Sequence, residues 1–174
     1  MLNLVKNCSV GIKAYFCAIM LKTKILLGLF LIVGVFSSCK KELSPEKQAA
    51  KDDEIIVDFI AKNNIPAIKH SSGLYYQIIT QGSGASVTAA STVGVNYEGK
   101  LLNGTQFDKS TSIVTFPLTR VIQGWTIGVP LIKVGGKIRL IVPSALAYGS
   151  NPPQGSPIPE NAVLDFTIDL INAQ

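Results

Sequence analysis

Apolar positions take three spacings in turn along this chain. From Ile25 to Phe36 they form an almost unbroken run of 12 residues. From Ser44 to about Asn63 they recur four residues apart, Ile55 with Phe59 and Ile56 with Ile60, which is the spacing of a helix face. From Leu74 onward the period falls to two, the alternation of strands. The pattern predicts a targeting segment, then one amphipathic helix, then a mostly antiparallel sheet.

Local signals sharpen these elements. Ser44-Pro45-Glu46 predicts a helix start, with Ser as N-cap, Pro at the first helical position and an acid in the first turn. Lys47, Lys51, Asp52, Asp53 and Asp58 are expected to solvate the side away from the apolar pairs, and Asn63-Asn64 with Pro66 ends the helix. Such a helix either spaces the domain from a surface or packs on it; a sharper reading makes it a homodimerisation helix. Strands are predicted at Leu74 to Thr80, Val93 to Leu102, Thr105 to Asp108, Ile113 to Leu118, Lys137 to Val142 and Val163 to Ile171. Asn103-Gly104 predicts a hairpin, because both residue types tolerate positive φ. A short helix is expected from Val121 to Ile132, although Gly124 and Gly128 weaken it. The fold class is therefore α+β, with a concave apolar site between the sheet and the internal helix.

Charge changes the picture little. The chain carries a formal +5, but residues 1–38 hold Lys6, Lys13, Lys22 and Lys24 and no acid. Beyond them 12 basic residues stand against 11 acidic ones, so the body offers no stripe for tracking phosphates and no nucleic-acid partner is expected.

The front of the chain reads as targeting. Met20-Leu21-Lys22-Thr23-Lys24 is a basic n-region, and the 12-residue apolar run after it is short of the roughly 20 residues a membrane span needs. It ends in Phe36-Ser37-Ser38-Cys39, which resembles a bacterial lipobox, with Cys39 as the lipidated residue and cleavage just before it. A plain secretory signal is the main rival, and an uncleaved anchor a weaker one. A start at Met20 would give a signal peptide of ordinary length. The division is then 1–38 signal peptide, 39–73 tether and helix, and 74–174 domain, tethered to a bacterial envelope membrane, with the outer membrane favoured and either its periplasmic or its surface side open. Cys8 and Cys17 precede the cut, which leaves Cys39 alone in the mature chain and no disulfide.

Familiar catalytic parts are missing. His70 stands in a polar linker, there is no His or Cys cluster for a transition metal, and no nucleotide-binding glycine pattern or nucleophile elbow is complete. No cofactor is implied. An aromatic and aliphatic set is present instead, with Asp108 the one acid embedded in it; each member alone reads as plain core.

In order, Val95-Asn96-Tyr97-Glu98-Gly99, Gly104-Thr105-Gln106-Phe107-Asp108, Val121-Ile122-Gln123-Gly124-Trp125, Ala147-Tyr148-Gly149 and Ile158-Pro159 with Leu164-Asp165-Phe166 resemble the FKBP family of peptidyl-prolyl isomerases, across roughly Thr92 to the C-terminus. Phe116-Pro117-Leu118 just before Val121 is similar to the bacterial lipoprotein branch of that family. The resemblance implies a curved antiparallel sheet wrapped on a short helix. It implies catalytic roles for Tyr97, Phe107, Asp108, Ile122, Trp125, Tyr148 and Phe166, with Phe116, Val121 and Ile158 as further substrate contacts. Trp125 would floor a pocket for a proline ring, Asp108 would sit at its rim, and the Ile122 N–H and Tyr148 hydroxyl would donate to the bound peptide. Partners would be proline-containing polypeptides and macrolide inhibitors. One departure stands out: no Arg closely follows Phe107-Asp108 to pair with the acid, leaving Lys109 or Arg120 as substitutes.

The residue types suit amide rotation on their own. The barrier of about 18–20 kcal/mol comes from amide resonance. A dry apolar pocket favours the twisted, less polar amide over the resonant one, and needs no nucleophile or metal. Two readings compete with an isomerase: a non-catalytic peptide-binding chaperone on the same fold, and a structural envelope lipoprotein assembled through the helix.

Overall fold

The structure, a computed structural model, describes residues 43–174. The signal-peptide and lipobox readings, Cys39 included, fall outside the described residues. Among the described residues no helix is long and apolar enough to cross a membrane.

Helix α1 (Pro45–Lys62) begins as its sequence predicts: the Ser44 side chain accepts from the Lys47 N–H. It ends at Asn63, and Asn64 turns the chain at φ 52°. Seven strands then build one antiparallel sheet: β1 (Ile68–Lys69), β2 (Tyr75–Thr80), β3 (Thr92–Leu101), β4 (Gln106–Lys109), β5 (Val114–Pro117), β6 (Lys137–Val142) and β7 (Leu164–Ala173). Their order is β1-β2-β6-β7-β3-β4, with β5 also pairing on β3. Strand β1 was not legible as a strand, being two residues long, and it lies within the 39–73 stretch read as tether and helix.

The two faces of the sheet are covered differently. Ile138, Leu140, Phe166, Ile168, Val93 and Val95 share the main core with Trp125 and Val129, beneath the short helix α2 (Gln123–Gly128). Ile141, Tyr75 and Val163 join a second, smaller core with Ile56 and Ile65, against which Phe59 and Ile60 pack. One helix therefore covers each face; Ile56, Phe59 and Ile60 of α1 pack on its own domain, while Ile55 and Val57 stay exposed.

Three expectations are corrected. Asp52 does not solvate the outer side of α1; it is buried, accepting from the backbone N–H and hydroxyl of Ser144. Ile55 is exposed, so the packed stripe is Ile56, Phe59 and Ile60. The internal helix is shorter than Val121 to Ile132: it stops at Gly128, and a 3₁₀ turn, Val129–Leu131, follows at Pro130. Pro130 has no N–H to continue the helical ladder.

The glycines read as helix-weakening have a packing role. A Cβ on Gly124 would stand 2.5 Å from Val142 Cγ1, and one on Gly128 would stand 2.6 Å from Leu140 Cδ2. Four residues apart, they let α2 lie directly on β6. The hairpin at Asn103-Gly104 forms with positive φ at Gly104 alone; Asn103 contributes by accepting from the Thr105 N–H at 2.9 Å.

Candidate functional site

A cleft of about 290 Å³ opens between α2 and the sheet. Its lining is Tyr97, Phe107, Asp108, Phe116, Arg120, Val121, Ile122, Trp125, Tyr148 and Phe166. Strand register supplies much of this set. Tyr97 on β3 lies opposite Ile168, and Gly99 opposite Phe166 on β7. A Cβ on Gly99 would fall 2.7 Å from Phe107 and 2.8 Å from Phe166, so that glycine leaves room for both rings. The rings meet edge to face, with centroids 5.5 Å apart. Phe116 arrives on β5, opposite Val93.

Trp125 is the centre of the floor. Its ring takes edge-to-face contacts with Tyr97 at 5.2 Å, Phe166 at 5.4 Å and Phe116 at 5.9 Å. Contacts of this geometry are worth about 0.5–1.5 kcal/mol each beyond buried area. The indole Nε1 is buried without a hydrogen-bond acceptor, so packing alone orients the ring. Only 4% of the residue is exposed, yet it lines the cleft, with Tyr97, Phe116 and Phe166 lining it around the indole.

Polar groups sit at the rim. The Tyr97 hydroxyl donates to Asp108 Oδ2 at 2.7 Å, and the Lys109 N–H donates to Asp108 Oδ1 at 2.8 Å. These fill the place of the Arg that the sequence lacks. Lys109 turns its ammonium to Glu98 at 3.3 Å. Arg120 lines the cleft but forms no ion pair with Asp108 among the described residues. Burial, then the bond and charge of Asp108, push the Tyr97 phenol up to about 12. Burial, followed by the Asp108 charge, likewise raises the Tyr148 phenol. Both hydroxyls therefore keep their protons at neutral pH and can donate. The Tyr148 hydroxyl makes no hydrogen bond among the described residues, which leaves it available to a ligand.

Nine of the ten predicted pocket residues meet in this cleft. Ile158 does not; it is 7% exposed and packs in the main core. Sequence reasoning named Arg120 only as a possible partner of Asp108 and missed its place on the wall. Its position after β5 and before α2 was the available signal, since both flanking segments supply lining residues.

The sheet, the short helix across one face and the aromatic cleft between them are an α+β arrangement with one concave apolar site. Residues 84–171 match the sequence model described as FKBP-type peptidyl-prolyl cis-trans isomerase, and the chain belongs to that family. It is 37% identical over 142 residues to the FKBP-type peptidyl-prolyl cis-trans isomerase FkpA of Aeromonas hydrophila, covering 80% of this chain and 52% of that protein. The crystal structure of FkpA from Escherichia coli matches with a TM-score of 0.63 and 37% identity, over 74% of this chain and 62% of that one. A peptidyl-prolyl cis-trans isomerase structure from Pseudomonas syringae pv. tomato gives a TM-score of 0.63 at 32% identity, over 76% of this chain and 98% of that one. The chain spans about half the length of the curated relatives it matches.

Proposed function

We propose that this protein is a peptidyl-prolyl cis-trans isomerase that speeds X–Pro rotation in exported polypeptides. The observation that carries the reading is the Trp125 floor, held by edge contacts with three aromatic rings that line the cleft around it. Uncatalysed X–Pro exchange takes tens to hundreds of seconds. An apolar floor under the proline ring disfavours the resonant, dipolar amide, while the Ile122 N–H and Tyr148 hydroxyl hold the neighbouring peptide groups as the bond turns. Rate is gained only if the twisted form is bound more tightly than either planar isomer. Asp108, held by Tyr97, keeps the wall in place and sets a negative rim.

A protease-coupled isomerisation assay tests this. The chain should accelerate the slow phase, and a macrolide ligand of the family should block it. A binding module without catalysis would hold proline peptides and leave the slow phase at its spontaneous rate.

Cys39 as a lipid anchor in the bacterial envelope is part of the same proposal, supported by the basic n-region, the apolar run and Ser37-Ser38 before the cysteine. Cys39→Ala should move the protein out of the membrane fraction; unchanged fractionation would sink the anchor. A homodimer through α1 would use Ile55 and Val57, which stay exposed, because Ile56, Phe59 and Ile60 already pack on the chain's own sheet.

A further inference from the structure

Of the acids on α1, Asp52 alone is buried, at 1% exposure. A spacer helix has no need of a charge there, since taking a carboxylate out of water is costly unless it is fully bonded. This one is bonded: Oδ2 accepts from the Ser144 N–H at 2.8 Å and from the Ser144 hydroxyl at 2.6 Å, and Oδ1 accepts from Gln48 Nε2 at 2.6 Å. The bonds to Ser144 span 92 positions of sequence and join α1 to the 3₁₀ turn Ser144–Leu146.

Ser144 hands the constraint on. It is itself 1% exposed, and its carbonyl accepts from the Ala147 N–H at 3.0 Å and the Gly149 N–H at 2.9 Å. Those two amides flank Tyr148. The chain of bonds therefore runs from a helix carboxylate, through one serine, to both sides of the residue whose hydroxyl faces the cleft.

We infer that Asp52 is a positioning residue for the cleft: through Ser144 it fixes the backbone that carries Tyr148. Its effect on rate rests on the isomerase reading above. Its effect on Tyr148 does not. Asp52 lies outside residues 84–171, so α1 belongs to the working site and not only to the tether. Charge-assisted bonds are short and directional, which suits a group that must hold a loop to one geometry.

Asp53 provides the control. It anchors the same helix through the Tyr75 hydroxyl at 2.8 Å and through Lys69, without touching Ser144. Asp53 is the more exposed tie, so stability alone separates the two variants, and the Tyr148 ring signals are what distinguish positioning from a merely structural role.

The test uses the full chain with labelled tyrosine rings, reading isomerisation rate and the Tyr148 ring resonances by NMR. Asp52→Ala should shift the Tyr148 signals and lower kcat/KM about five- to tenfold, whereas Asp53→Ala should leave both near wild type. Asp52→Asn should recover to within about twofold, because it keeps an acceptor for Ser144 while Gln48 turns its amide. In a Tyr148→Phe background Asp52→Ala should cost little more, since the two act as one unit. Wild-type Tyr148 signals in Asp52→Ala, or a fully additive loss in the double variant, would overturn the inference. A wild-type chain without activity would remove the isomerase reading, and the Tyr148 resonances would still decide the positioning role. Should Asp52→Ala not fold, Ser144→Ala, which removes one of the two donors, takes its place with the same expected direction.

Discussion

The Tyr97 hydroxyl donates to the Asp108 carboxylate at 2.7 Å, so an aromatic wall, not a cation, holds the rim acid of the cleft. The bond ties strand β3 to β4 at the mouth of the site, where Gly99 already pairs with Asp108 across the strands.

This pairing carries a pH signature. The folded-state phenol of Tyr97 lies at about 12, above the ordinary tyrosine value of about 10. A raised phenol contributes stability that is complete below the unfolded value and is lost as pH rises through the folded one. Denaturant midpoints should therefore fall between about pH 10 and 12, and Tyr97→Phe should flatten that fall. An equally steep alkaline loss in Tyr97→Phe would assign it to other groups. Near neutrality the phenols add no pH dependence to activity.

Gly124→Ala sets helix propensity against packing. Propensity alone predicts a gain of about 1 kcal/mol. The added Cβ would stand 2.5 Å from Val142 Cγ1, inside a filled core. Overpacking of this kind costs about 1–3 kcal/mol, so the net change should be destabilising. Urea unfolding reads the sign directly; a stabilised variant would show that α2 is free to lift from β6.

Arg139 forks onto Asp165 at 2.9 and 2.6 Å across β6 and β7, and it stacks over the Phe59 ring of α1 at 5.8 Å. Asp165 is only 8% exposed. Arg139→Met leaves that carboxylate without its partner and should cost about 2–4 kcal/mol, less than a wholly buried pair because the arginine is partly solvated. Adding Asp165→Val should restore most of the loss. A double variant as unstable as the single one would mean that Arg139 works through Phe59 instead.

How much of this was legible in the sequence differs by element. Strands with clean alternation were placed almost to the residue: Lys137–Val142 agrees at both ends. The aromatic cleft was legible because its members fall in ordered blocks that resemble one family; position within an element gave no signal, since Tyr97 lies in the middle of β3. Asp52 was misplaced for a physical reason. Helical periodicity sorts side chains by polarity, and it cannot tell a carboxylate facing water from one facing a buried amide 92 positions away. Ile158 was read as a substrate contact. It follows the loop beyond Tyr148, yet its side chain turns into the core and not into the cleft. Gly124 and Gly128 looked like poor helix residues because propensity ignores the neighbouring sheet.

The chain has a single tryptophan, and it floors the cleft. Titration with a proline-containing peptide should therefore change the intrinsic indole fluorescence saturably. Trp125→Leu should abolish that signal and lower kcat/KM by at least about tenfold with the fold retained. Binding that leaves the indole emission untouched would place the ligand elsewhere.

The most direct measurement is exchange between the cis and trans resonances of a short X–Pro peptide at equilibrium, followed by NMR with catalytic amounts of the chain. Exchange should speed up in proportion to chain concentration, lose at least about nine-tenths of that acceleration with Trp125→Leu, and leave the cis-to-trans ratio unchanged. Exchange at the spontaneous rate with the folded wild-type chain would contradict a cleft built to bind the rotating amide.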